Sequence, residues 1–194
     1  RSLSKALYEI SKIIEISKPD IILSGFDIAA NLAITIAGAH MNIPVAHIQG
    51  GEVSGTIDES IRHAMSKFAH YHFASNDDAC KRLIRMGEKK ENIFNVGCPS
   101  IDALLSVKDD PDCLKKYNLK KPFFLVLQHP VTTEYNNSID QMKQTIKAIN
   151  KLDEDILIIL PNNDAGYATM IKEINRTKHK IIKTLDLNDF VNLL

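Results

Sequence analysis

Short apolar runs recur along this chain, each followed by a polar turn and then a stretch with helical periodicity. The runs are Ile21-Ile22-Leu23, Pro44-Val45-Ala46, Tyr71-His72-Phe73-Ala74, Ile93-Phe94-Asn95-Val96, Phe123-Phe124-Leu125-Val126-Leu127, Ile156-Leu157-Ile158-Ile159-Leu160 and Lys180-Ile181-Ile182-Lys183. Leu3, Leu7, Ile10, Ile13 and Ile14 mark a helix over 3–17 that Pro19 ends, and further helices are read to about Met41, over 59–68, from a Ser75 cap to Gly87, to about Leu105, over 138–151 and over 165–176. A strand, a helix and a strand in regular succession require crossover connections, which are right-handed and set the strands parallel. The pattern therefore predicts an α/β protein with Rossmann-like, doubly wound sheets.

Residues 106–121 break the rhythm, with Asp109-Asp110-Pro111-Asp112, Lys115-Lys116 and few apolar anchors. The reading is an N-terminal lobe over 1–107, a linker over 108–121 and a C-terminal lobe over 122–194. The chain opens at Arg1 in a helical pattern and closes at Leu193-Leu194 in another. Both lobes are therefore expected to be truncated, as in an interior piece of a longer protein.

Composition narrows the partners. Lys+Arg and Asp+Glu both number 24 in 194 residues, so no net field favours nucleic acid or an anionic membrane. No apolar run is long enough to span a bilayer and no signal peptide is recognisable, so no membrane partner is expected. Cys80, Cys98 and Cys113 lack metal-ligand spacing, as do His47, His63, His70 and His72. No metal and no cofactor are expected, and the simplest setting is the reducing cytoplasm.

In parallel sheets, ligands bind beyond the carboxyl ends of the strands, so the segments after strands are where chemistry is sought. One of them is exceptional: His47-Ile48-Gln49-Gly50-Gly51-Glu52-Val53-Ser54-Gly55-Thr56-Ile57-Asp58-Glu59-Ser60-Ile61-Arg62-His63. The glycine pair permits unusual backbone angles and close approach to a ligand. Glu52 has no helix to cap. Asp58 and Glu59 suit a helix N-terminus, with Asp58 a candidate cap, and equally suit catalysis. Elsewhere, Asp27 follows the first strand as a cap or a ligand group. His129 follows the fifth strand and precedes Pro130, and Pro161-Asn162-Asn163-Asp164 follows the sixth.

The His47–His63 string resembles the signature of the hydrolysing UDP-N-acetylglucosamine 2-epimerases of sialic acid biosynthesis. Asn95-Val96-Gly97-Cys98-Pro99-Ser100-Ile101-Asp102-Ala103-Leu104, Leu127-Gln128-His129-Pro130-Val131-Thr132-Thr133-Glu134 and Leu160-Pro161-Asn162-Asn163-Asp164-Ala165-Gly166 are similar to further blocks of that family, in its order. The resemblance implies the glycosyltransferase-B architecture, with both lobes facing one cleft. It implies conversion of UDP-N-acetylglucosamine to UDP and N-acetylmannosamine, and a homodimer or homotetramer. A UDP-2,4-diacetamido sugar is the alternative substrate, as in legionaminic-type acid pathways, and a non-catalytic sugar-nucleotide-binding module is the alternative role.

On that resemblance Glu52, Asp58, Glu59 and His129 are the candidate catalytic residues. Asp27, Gln49, Gly51, Arg62, His63, Asn162, Asn163 and Asp164 are the candidate substrate-binding residues. The family usually shows Gly-Asp-Arg after the first of these strands, whereas this chain has Gly25-Phe26-Asp27. Gln49 stands where non-hydrolysing relatives carry a glutamate, and an amide orients rather than takes a proton.

Overall fold

The structure, a computed structural model, describes residues 2–26 and 28–194. It divides into two compact units, Arg1–Ile101 and Asp102–Leu194.

The first unit runs α1 (Ser2–Ser17), β1 (Ile22–Gly25), α2 (Ala29–His40), β2 (Val45–Ile48), α3 (Ile57–Phe68), β3 (Tyr71–Ala74), α4 (Asp77–Arg85), β4 (Ile93–Asn95) and the start of α5 (Pro99–Leu105). Its strands are parallel in the order β1-β2-β3-β4. Gly25 pairs with Ile48, Ile48 with Phe73, and Ala74 with Asn95, so the carboxyl ends of the strands share one edge. A right-handed crossover between successive neighbours places α2, α3 and α4 on the same face. There Ile14, Ile22, Ala37, Val45 and Ala69 form a core. Gly38 lets α2 approach closely, since a Cβ would lie 2.6 Å from Ile22 Cδ1 and 2.9 Å from Val45 Cγ2.

Local chemistry sets the helix ends. Thr56 caps α3, its hydroxyl accepting the Asp58 N–H at 3.3 Å, so the helix starts two residues before the expected Glu59 and Asp58 is not the cap. Asn76, rather than the expected Ser75, caps α4 by accepting the Ala79 N–H at 2.9 Å. Asp77 and Asp78 sit in the first turn of α4 and Arg82 and Arg85 in its last, both matching the helix dipole. Gly87, with φ +90°, then turns the chain out as expected.

The second unit runs α6 (Cys113–Lys116), β5 (Phe123–Leu127), α7 (Ser138–Ile149), β6 (Asp155–Ile159), α8 (Tyr167–Ile174), β7 (Lys180–Ile182) and α9 (Leu187–Leu193). The parallel order is β5-β6-β7. Ile156 and Ile158 join Met142, Ile146, Ile149, Met170 and Ile174 on one face, while Leu157 joins Cys113, Leu119 and Leu193 on the other. β6 is therefore covered on both faces, which is why it reads as an unbroken apolar run. Cys113 and Leu119 belong to this core although residues 108–121 read as a linker. Their anchor is Asp189 on α9, which accepts from Lys116 Nζ and from the Tyr117 hydroxyl. These two donors hold its carboxyl below the ordinary range. Burial, together with Asp189, pushes the Tyr117 hydroxyl up to about 12. Among the described residues no helix is long and apolar enough to cross a membrane.

Candidate active site

The polar run leaves β2 through two left-handed backbone positions, Gln49 and Gly51, with a tightly packed glycine between them. Gln49 has φ +60°, a left-handed conformation that a non-glycine residue adopts only when surroundings hold it, and its N–H donates to the Phe73 carbonyl at 2.8 Å. Its side-chain Nε2 donates to Cys98 Sγ at 3.3 Å. At Gly50 a Cβ would lie 2.9 Å from His47 Nδ1 and 3.0 Å from Ser66 Oγ. At Gly51, φ +82°, it would lie 2.5 Å from the Ala79 carbonyl oxygen and 2.9 Å from Leu83 Cγ. The close approach that these glycines permit is thus to the protein's own β2 and α3 side chains and to α4.

Two arginines then clamp this turn. Arg82 on α4 donates to the Gly51 carbonyl, and Arg62 on α3 donates to the Glu52 carbonyl at 3.0 Å. Arg62 was anticipated. Arg82 was not, because it reads as a surface charge in the last turn of α4 and only the fold brings it to Gly51.

The three carboxylates have different occupations. Glu59 Oε2 accepts the Ser54 and Gly55 N–H groups, both at 2.9 Å, an arrangement related to a capping box with Thr56. The Gly55 and Ser54 hydrogen bonds, aided by nearby His63 and Arg62, hold its carboxyl below the ordinary range. Asp58 Oδ2 accepts from the Thr56 hydroxyl at 3.0 Å. Glu52 alone of the three has no side-chain hydrogen bond or ion pair among the described residues. It is half-buried and lines a depression of 390 Å³ with Val53, Asn76, Asp78 and Arg82. His63 Nδ1, one turn beyond Glu59, is buried without a hydrogen-bond partner.

In the second unit the segments after β5, β6 and β7 meet around a pocket of 210 Å³ lined by residues that include His129, Asn162, Lys183, Thr184 and Phe190. His129 is exposed. Its Nδ1 accepts the Asn162 N–H at 3.1 Å, so the neutral ring carries its proton on Nε2, a donor left for a ligand. Asn163 and Asp164 are exposed and lie outside the lining of this pocket. Lys183 and Thr184 were missed, yet they follow β7 as His129 follows β5, so the rule that singled out the other segments applies to them too.

Three further histidines serve the sheet. His47 Nδ1 lies 3.0 Å from Ser66 Oγ, and His70 Nδ1 accepts the Val45 N–H at 3.1 Å. Buried His72 lies 3.2 Å from Glu88. No group of three or more His, Cys, Asp or Glu among the described residues could hold a metal ion. Asp27 lies outside the described residues.

A family model described as UDP-N-acetylglucosamine 2-epimerase matches residues 1–194. The UDP-N,N'-diacetylbacillosamine 2-epimerase (hydrolyzing) of Legionella pneumophila is 36% identical, over 100% of this chain and 54% of that protein. The UDP-N-acetylglucosamine 2-epimerase of Neisseria meningitidis is 34% identical over 89% of this chain and 46% of that protein. The chain thus spans about half the length of the curated relatives it matches. The crystal structure of a Neisseria meningitidis UDP-GlcNAc 2-epimerase bound to UDP-GlcNAc superposes with a TM-score of 0.78, covering 98% of this chain and 56% of that one at 19% identity. The last likeness gives the fold, α/β with parallel sheets of the glycosyltransferase-B-like kind. The family match along the whole chain, with relatives 36% and 34% identical to it, shows that this chain belongs to the UDP-N-acetylglucosamine 2-epimerase family.

Proposed function

We propose that the protein of which this chain is part is a hydrolysing 2-epimerase, releasing UDP and the C2-epimeric free sugar from a UDP-N-acetamido sugar. The observation that carries the reading is Glu52: a carboxylate without a partner among the described residues, on a glycine-shaped, arginine-held turn beyond the carboxyl end of β2. UDP-N-acetylglucosamine, giving N-acetylmannosamine as the first step towards sialic acid, is the substrate we assign. The relatives from Legionella and Campylobacter jejuni named for diacetylbacillosamine support a second reading, a UDP-2,4-diacetamido sugar.

The C2 proton of such a sugar has no neighbouring carbonyl, so it becomes acidic only as UDP leaves C1. A base removes this proton while the C1–O bond breaks, giving UDP and a 1,2-unsaturated sugar. Water then adds, its hydroxyl to C1 and a proton to C2 from the opposite face. Overall, one sugar nucleotide and one water become UDP and the epimer. Carboxylates suit both proton transfers. Glu52 is free to act as the base, and Asp58 and Glu59, with His63 beside them, are assigned to the second transfer. Gln49 and Arg62 hold the sugar end in place, while Gly51 shapes the turn that presents them. In the second unit, His129 Nε2–H and Lys183 are donors suited to developing phosphate charge, with Asn162 beside them. The free cysteines fit a reducing compartment such as the cytoplasm.

Replacing Glu52 by Gln in the full-length protein tests the assignment. UDP release and C2 exchange are expected to fall together, while UDP binding by calorimetry persists. Full turnover by the variant would remove Glu52 from the chemistry.

A further inference from the structure

Gln49 and Cys98 lie far apart in sequence, after β2 and after β4, and meet across the carboxyl end of β3 between them. Gln49 Nε2 donates to Cys98 Sγ at 3.3 Å, and its main chain is pinned by the left-handed turn and by the bond to Phe73. A carboxamide has a donor end and an acceptor end, and rotation by half a turn exchanges them. We infer that Cys98 is a positioning residue: it holds the NH2 end of Gln49, so that Oε1 is the end offered to an N–H or O–H of the sugar nucleotide.

The surroundings of the sulfur give the direction. The Ile101 N–H donates to the Cys98 carbonyl oxygen at 3.0 Å, and the backbone of Ile101 and Ser100, with Gln49, holds the nearby thiol below its ordinary range. The donor that the geometry places on Sγ is Gln49 Nε2, so the sulfur is the acceptor of the pair and the amide oxygen is the end left over. Among the described residues Oε1 has no partner. A half-buried acceptor beside the glycine turn that carries Glu52 suits the acetamido N–H or a hydroxyl of the sugar. The inference rests on the proposed function for the identity of that donor, and on geometry alone for the Gln49–Cys98 pair.

The test has two arms, both on the full-length protein. In the first, the pH dependence of Cys98 alkylation by iodoacetamide is followed by peptide mass spectrometry in the wild type and in Gln49→Ala. The midpoint is expected to rise in the variant, and an unchanged midpoint overturns the pair. In the second, Cys98→Ala is expected to raise KM for UDP-N-acetylglucosamine about fivefold with kcat changed less than about twofold, as for a lost binding contact. Cys98→Ser, which keeps an acceptor, restores KM, and Cys98→Ala made in the Gln49→Ala background has no further effect. Equal effects of Cys98→Ala in both backgrounds overturn the positioning role. Absence of any turnover by the wild type would instead count against the proposed function, while the alkylation arm still decides the pair.

Discussion

Among the three carboxylates of the polar run, what separates them is what their oxygens already hold. Glu59 holds two backbone N–H groups and Asp58 the Thr56 hydroxyl, whereas Glu52 holds none among the described residues. Glu52→Gln is therefore expected to lower kcat about 10²–10⁴-fold, the range for loss of a positioned acid or base, with little effect on the thermal midpoint. Glu59→Gln is expected to act on stability too. A carboxyl depressed from its ordinary 4.5 contributes stability above that pH and loses it as pH falls through the lower folded value. The variant should consequently melt below the wild type at neutral pH, and the gap should close in acid below about 4.5 when melting is followed by circular dichroism. Glu52, Asp58 and Glu59 were all visible in the sequence as candidates, Glu52 set apart only by having no helix to cap. Their division of labour was not, because it depends on which backbone N–H groups the turn brings within reach. His129 was legible as a strand-end histidine, but its free Nε2–H follows from a bond to Asn162, a contact between segments far apart in the chain.

At the scale of elements, the turn after β2 is held by helices on either side. Gly51 sits against α4 in a left-handed conformation, so Gly51→Ala combines backbone strain with a clash at the Ala79 carbonyl. A loss of at least about 1–3 kcal/mol is expected in denaturant unfolding. Arg82→Ala leaves the Gly51 carbonyl without its charged donor. It is expected to cost about 1.5 kcal/mol and to lower turnover by loosening Glu52. A second dependence lies behind β3, where burial lowers the buried His72 from its ordinary 6.5 and Glu88 partly opposes the shift. The unfolded chain then binds more protons than the folded one, so stability is full above about pH 6.5 and falls as pH drops towards the folded value. Glu88→Gln is expected to steepen that fall, read as the thermal midpoint between about pH 7 and pH 5. The strands and most helices were legible because an apolar run of strand length and a 3.6-residue period are local signals. Helix starts were displaced by one or two residues because Thr56 and Asn76, rather than their neighbours, met the first free N–H groups. The role of α6 was hidden, since Cys113 and Leu119 gain their burial from Leu157 and Leu193, which lie far along the chain.

At the scale of the molecule, two parallel α/β units place their candidate residues by one rule, on the segments that follow strands. Glu52 after β2, His129 after β5, Asn162 after β6 and Lys183 after β7 all obey it. The chain spans about half the length of its curated relatives, so the activity belongs to a test on the full-length protein. The most direct measurement is proton NMR of that protein with UDP-N-acetylglucosamine, and separately with the 2,4-diacetamido sugar nucleotide, in deuterated water. Free UDP together with the C2 epimer carrying deuterium at C2, from either substrate, is the expected result, and the productive one names the sugar. Deuterium incorporated into an epimer still joined to UDP, or no exchange with either substrate, would contradict the hydrolysing epimerase.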